Sequence, residues 1–357
     1  MKIYQRYLAK EISAAIVLVL AAFLALFSFF DLIGELRDVG RGAYQFRHAL
    51  GFIALKLPGR VYELMPIAVL IGALYALSTL ARHSEITVLR ASGLSTGRLL
   101  GTLLQVAAFF GLMTLLTGEF VAPPAERAAK QLRLSAIGGL VAQDFRTGLW
   151  VKDEMTFVNV RAVTPDTQLR SIRIYEFDQG AKLKTVSEAM EGEYLPPARW
   201  KLKNVIRTTI DGNRARVDKQ DELIWESALN PDILSVLLVK PESMSLMHLT
   251  AYIKHLTDNK QKTQRYEIAL WKKAVYPLAA LVMIALALPF GYTHNRVAGV
   301  SLKIFTGVMI GVFFHMLNGL FSNLGAINGW PPFASAATPS LMFAVAAAGM
   351  LWWVERR

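Results

Sequence analysis

Charge disappears from this chain in runs of similar length. Ile12–Phe30, Leu64–Leu80, Leu99–Gly118 and Ala274–Thr293 carry no Asp, Glu, Lys or Arg, and each approaches the ~20 residues a helix needs to cross the hydrocarbon core. From Ile304 to Val354 the charge-free stretch is about twice that length, and Asn323, Gly325, Asn328, Gly329, Pro331 and Pro332 interrupt it, so it divides into two further spans. The pattern predicts a six-span helical bundle.

Two intervals depart from it. Between the third and fourth spans, about Gly139 to Val239, segments such as Trp200-Lys201-Leu202-Lys203 and Ser171-Ile172-Arg173-Ile174 alternate apolar and polar with period two. Turn signals at Thr164-Pro165-Asp166, Asp178-Gln179-Gly180, Pro196-Pro197 and Asp211-Gly212-Asn213 recur between them, which predicts an inserted β-domain, a sandwich or jelly roll. Ser243–Asn259 follows with Leu246, Leu249, Ile253 and Leu256 at helical spacing, an amphipathic packing strut. The second interval is Ala81–Arg98, between spans two and three. Ser84 as N-cap, Glu85 in the first turn and Gly93 as stop predict a short helix over 84–93. Too short to span, it lies on the membrane surface with its ends joined to two spanning helices. The organisation is therefore 1–138, three spans with this helix; 139–240, the β-domain; and 241–357, the strut and three spans.

Composition refines this picture. The 357 residues are 54% hydrophobic and 18% charged, with a mean hydropathy of +0.36, which suits a membrane bundle joined to a soluble domain. Lys2, Arg6, Lys10, the arginines at 82, 90 and 98, then Arg296, Lys303, Arg356 and Arg357 fall on one side of a six-span chain, so the positive-inside rule puts both termini in the cytoplasm. The first span lacks a small-residue cleavage site and is expected to anchor the chain. The net charge of +12 is scattered over membrane-flanking turns and the insert, which favours anionic lipid over nucleic acid.

Asp31–Glu63 reads as a loop on the far side, yet it holds Arg37, Arg41, Arg47, Lys56 and Arg60 beside Asp31, Glu35, Asp38 and Glu63. Solvated local ion pairs are the plain reading; an anion site at the outer leaflet is the sharper one. After Pro123-Pro124, Arg127, Lys130 and Arg133 recur every third residue at the same edge, which adds to the sharper reading. Glu119 is expected to be a helix-end carboxylate reaching water or an arginine, with proton carriage as the alternative. His315 and Asn318, one turn apart in the fifth span, are expected to make an interhelical hydrogen bond, with ligand contact as the alternative.

The chain contains no cysteine and no phosphate-binding G-x-x-x-x-G-K-[ST] loop, and the β-domain holds no histidine. This excludes disulfides, thiolate chemistry and P-loop ATP binding; the β-domain offers no candidate triad, and no metal-ligand cluster is evident in the sequence. The spans are nearly free of acids, so energy for any transport is expected from a partner engaging the 84–93 helix.

RYLAKEI, VGRGAY, ELMPIAVLIGALYALSTLARHSEITVLRASG, GEFVAP, TGLWVKD and GWPPF, with three spans on either side of a β-domain, resemble the LptF/LptG permeases of the lipopolysaccharide exporter, on the LptG side of that family. The resemblance implies a multi-pass inner-membrane subunit of an ABC transporter with its jelly roll in the periplasm. It implies a homologous permease, LptF, as partner, an LptB ATPase dimer that uses ATP and Mg, the single-span LptC, and the bridge protein LptA. This chain itself is implied to bind no cofactor or metal. Carried over, Glu85 corresponds to the coupling-helix acid, with Arg82, Ser84 and Arg90 beside it. Arg37, Lys130 and Arg133 correspond to head-group contacts, and Leu64, Val312 and His315 to the acyl-chain cavity. Asp31 stands where some relatives have lysine, which moves that contact to Arg37 or Arg41. Two other classes fit the pattern without the resemblance: an ABC membrane protein that transmits force without moving lipid, and a membrane-anchored scaffold.

Overall fold

The computed structural model describes residues 3–137, 148–153, 155–163, 168–178, 180, 182–196, 199–212, 214–227, 241–292 and 300–356. Lys2, Gly139, Thr164–Asp166, Gln179, Pro197, Asn213, Val239, Thr293, Arg296 and Arg357, used above for charge, turns, spans or domain limits, lie outside them. Among the described residues, six helices are long and apolar enough to cross a membrane. Spans 1 and 2 are α1 (Ile3–Leu36) and α2 (Phe46–Arg82), followed by the short α3 (Glu85–Ala91). Span 3 is α4 (Thr96–Leu116), a π-turn (Thr117–Val121) and α5 (Ala122–Ile137). After the sheet come α6 (Leu246–Asp258), α7 (Gln264–Val275) and α8 (Ala279–Tyr292), the last two forming span 4 through a 3-10 turn. Spans 5 and 6 are α9 (Val300–Asn328) and α10 (Pro332–Glu355).

The helices outrun the apolar runs. The expected loop at 31–63 is mostly helix, because α1 continues to Leu36 and α2 begins at Phe46. Ala49, Phe52 and Ile53 are buried at helical spacing there, and Lys56, Arg60 and Glu63 recur at three- and four-residue steps on the same helix. Pro58 sits inside α2 and forfeits only one backbone bond. Pro123-Pro124 do not end span 3 either. A proline ring clashes with the carbonyl four residues back, and the preceding π-turn, in which the Ala122 N–H reaches Thr117 O, widens the helix where that clash would fall.

One core cluster joins α1, α2, α4, α8, α9 and α10, with Leu8, Ile12, Leu70, Leu74, Leu103, Met283, Ala287 and Phe314 at its centre. Lipid supplies no hydrophobic drive between helices, so close backbone packing does the work. At Gly72 an added Cβ would stand 2.6 Å from the Cα of Ile16, so α1 and α2 touch backbone to backbone there.

The inserted β-domain is one antiparallel sheet with strands β1 (Leu149–Asp153), β2 (Thr156–Val163), β3 (Leu169–Phe177), β4 (Leu183–Leu195), β5 (Arg199–Asp211) and β6 (Arg214–Glu226) in sequential order. Among the described residues the strands form a meander, each paired to its chain neighbour. Period-two alternation sends Val158, Val160, Ile172, Ile174, Trp200 and Leu202 to one face, and an irregularity at Asn204, φ 54°, brings Val205 to join them in the domain's own buried core. Gln261, in the turn between α6 and α7, donates to the Lys152 carbonyl at 3.0 Å and ties β1 to the helical part.

Candidate functional site

The site has two ends. At the first, α3 stops in a full Schellman motif: Gly93, at φ +91°, donates to Arg90 O at 2.9 Å, and Leu94 N–H returns to Leu89 O at 3.0 Å. Leu89 and Leu94 pack against the main core beside buried Ile86, so α3 is fixed to the bundle along one side. Ser84 occupies the N-cap position in a left-handed conformation, φ 62°, and its side chain makes no capping bond. The capping expectation fails because a side-chain cap needs extended backbone at that residue. Glu85 is met instead by the Tyr7 hydroxyl of α1, which donates to Oε2 at 2.8 Å. Arg82, Thr87, Val88 and Arg90 remain exposed on the outer side, a surface with two cations and an apolar centre.

At the second end, four of the expected head-group residues surround an acidic knot. Arg133 on α5 binds Asp38 and lies 3.6 Å from Glu35, and Arg41 meets Asp38 at 2.6 Å. Lys130 lies one turn before Arg133, and Arg37 is exposed beside the knot. The Tyr44 hydroxyl donates to Glu35 at 2.9 Å; burial first, and that hydrogen bond second, hold its phenol well above the ordinary range. Arg60 on α2 grips Asp31 of α1 at 3.0 Å and Glu63 at 3.1 Å. Arg41, Arg60 and Arg133 are thus partnered by acids from α1, the α1–α2 turn and α2 itself. Asp31 is itself the partner of Arg60, so it cannot substitute for a basic contact.

Between these ends, Val312 and His315 lie one turn apart on the exposed side of α9, with Phe305, Met309 and Met316. Leu64 is buried on α2, but it sits one turn from Ile67, where a Cβ on Gly311 would come within 2.8 Å. The α2–α9 crossing is thus at Gly311 and Ile67, with Leu64 buried on α2 and Val312 and His315 facing outward on α9. Among the described residues, in place of the expected interhelical bond, the Asn318 amide donates to Phe314 O of its own helix at 2.9 Å, while His315 faces outward.

The sequence missed one further group. Glu119, in the π-turn, accepts from the Leu246 N–H at 2.8 Å and so caps α6, whose N-cap Ser245 accepts from His248. The buried Lys273 of span 4 donates to Met244 O and lies 4.0 Å from the same carboxylate. Glu119 reaches a lysine and a helix N-terminus rather than an arginine. The signal was the Lys272-Lys273 pair at the edge of an apolar run, where an interior cation demands a partner. Among the described residues no cluster of His, Asp and Glu could hold a metal.

The sequence matches the family described as "Lipopolysaccharide export system permease LptF/LptG" over residues 6–354. It is 32% identical over 353 residues to the lipopolysaccharide export system permease protein LptG of Haemophilus influenzae, covering 99% of this chain and 98% of that one. It is 30% identical over 357 residues to the LptG protein of Escherichia coli K12, with 99% and 98% covered.

Proposed function

Because the chain belongs to the LptF/LptG family of lipopolysaccharide export system permeases, and is a multi-pass permease of that export system, we propose that it couples ATP hydrolysis by a partner to lateral extraction of lipopolysaccharide from the outer leaflet. The chain is a transporter subunit, and the proposed hydrolysis belongs to an LptB-type ATPase dimer seated against α3. Both termini and α3 face the cytoplasm in this reading, and the sheet faces the periplasm. A homologous LptF permease completes the cavity, LptC joins as a single-span subunit, and the lipid passes to a bridge of the LptA type.

The observation that carries the proposal is α3, anchored to the bundle by Ile86, Leu89 and the Schellman turn while it presents Arg82, Val88 and Arg90 outward. A surface helix rigidly joined to spans 2 and 3 moves them when it is pushed. At the other end, the rim arginines are held ready by Asp31, Glu35 and Asp38, and phosphates of a head group compete with those carboxylates for the same guanidinium forks. The acyl chains take the apolar space beside Leu64, Val312 and His315. Each methylene removed from the bilayer costs ~0.8 kcal/mol, so a multi-chain lipid does not leave unaided. The apolar face of this chain's sheet is filled by its own side chains: Trp200, Val158 and Leu202 are fully buried, and a Cβ on Gly192 would meet Ile172 at 2.6 Å. That filling favours a docking role for this β-domain, with lipid passing through the partner's.

The test is ATPase assay and photo-crosslinking on one purified complex in lipopolysaccharide-containing proteoliposomes. The reading expects lipopolysaccharide adducts at Val312 and His315 that ATP clears. An ATP-driven complex that never crosslinks lipid at α9 would return the chain to force transmission without lipid transport.

A further inference from the structure

α1 is held unlike its neighbour. Only 6% of its most apolar stretch is buried, against 78% for α2. Leu8, Ile12, Ala15 and Ile16 pack into the core, and no residue between Ile16 and Glu35 is buried. Val17, Leu18, Leu26, Phe29, Phe30 and Ile33 are exposed. Besides the core packing of Leu8 to Ile16, this helix is held by the Tyr7 hydroxyl on Glu85 at 2.8 Å, the Ile16–Gly72 backbone crossing, and the far-end carboxylates Asp31 and Glu35 on Arg60 and Arg133.

We infer that Tyr7 is a positioning residue for transport: by holding Glu85, it makes α1 a rocker, pivoted at Ile16–Gly72, that converts displacement of α3 into movement at the head-group rim. The inference rests on the reading of α3 as the ATPase-coupling helix. Helical rise sets the geometry. At 1.5 Å per residue, Tyr7 lies about 13 Å from the pivot and Asp31 about 22 Å, so a displacement at α3 is enlarged nearly twofold at the far end. That end carries the acids that occupy Arg60 and Arg133. Rocking α1 withdraws Asp31 and Glu35 from the two guanidiniums while shifting the exposed apolar half of the helix. One stroke then changes both what holds the head group and what borders the chains.

The Tyr7–Glu85 bond is exposed, so it adds little to folding, and Tyr7→Phe removes the hydroxyl while keeping the ring. The chain has no cysteine, so spin labels at Phe29→Cys on α1 and Phe120→Cys at the π-turn report the far end of the rocker in the assembled transporter. With this labelled chain in proteoliposomes, vanadate-trapped nucleotide is expected to shift the label–label distance when Tyr7 is present and to leave it unmoved in Tyr7→Phe. Lipid released per ATP is expected to fall by about threefold or more, the scale of one exposed charge-assisted hydrogen bond. A Tyr7→Phe complex that keeps both the shift and the lipid yield overturns the inference. Glu85→Lys in parallel separates the two claims: if it also keeps full yield, the coupling reading itself is wrong; if it alone uncouples, only the role of Tyr7 falls.

Discussion

α1 and α2 lie side by side in the same bundle, and the more apolar of the two is the one left outside. α2 carries Pro58, Pro66, Gly72 and Ser78 and is the central pillar, while α1 keeps the purer hydrocarbon run and exposes it. In water the order would be reversed. In a bilayer lipid is as apolar as leucine, so the helix that needs neighbours is the one with small or polar groups, and the helix of leucines and phenylalanines can face lipid or a partner. The difference separates a fixed frame from a mobile arm.

The strongest way to break that comparison is to loosen the frame. Lys273→Ala strips Glu119 of its buried cation and frees Met244 O, and should cost about 3–5 kcal/mol. A fall in the melting temperature of the detergent-solubilised complex checks this, and an unchanged melting curve would mean that the pair is not closed. Next is the pivot. Gly72→Val forces α1 away from α2 at Ile16 and should cost about 1–3 kcal/mol, seen as easier proteolysis of the α1–α2 turn in the otherwise assembled complex.

Smaller effects sharpen the rim. Because Arg133 is shared between Glu35 and Asp38, Arg133→Gln should lower lipopolysaccharide crosslinking at neighbouring positions by about threefold, and Asp38→Asn should raise it by a similar factor, as expected for partly exposed pairs. If neither variant changes crosslinking, these residues are solvated ion pairs and no more. The smallest expected change is Ser95→Ala, which removes the side-chain cap of α4 and should destabilise by ~1 kcal/mol, measurable as a small shift of the same melting curve.

The spans, the surface helix and the inserted β-domain were all legible because each has a distinct period: charge-free runs, a capped turn and alternation. Phe46–Glu63 was not, because balanced charges and Pro58 imitate a loop, and burial of Ala49, Phe52 and Ile53 shows itself only once α5 and the 37–45 turn lie against them. The single-sheet meander was hidden for a related reason, since alternation reports which side chains share a face and is silent on strand order. At the site, Arg41, Lys130 and Arg133 could be named from spacing and resemblance, and their carboxylate partners could be counted. That Asp38 serves two arginines, that Glu119 caps a helix 127 residues away, and that Tyr7 holds Glu85 depend on tertiary approach that no local pattern encodes.

Coupling through α3 is tested by photo-crosslinking of lipopolysaccharide from Val312 in proteoliposomes, before and after ATP, with Glu85 or Glu85→Lys in the helix. It predicts equal adducts in both complexes before ATP, clearance by ATP with Glu85, and retained adducts with Glu85→Lys despite continued hydrolysis. Equal clearance in both would contradict the claim that work enters through α3.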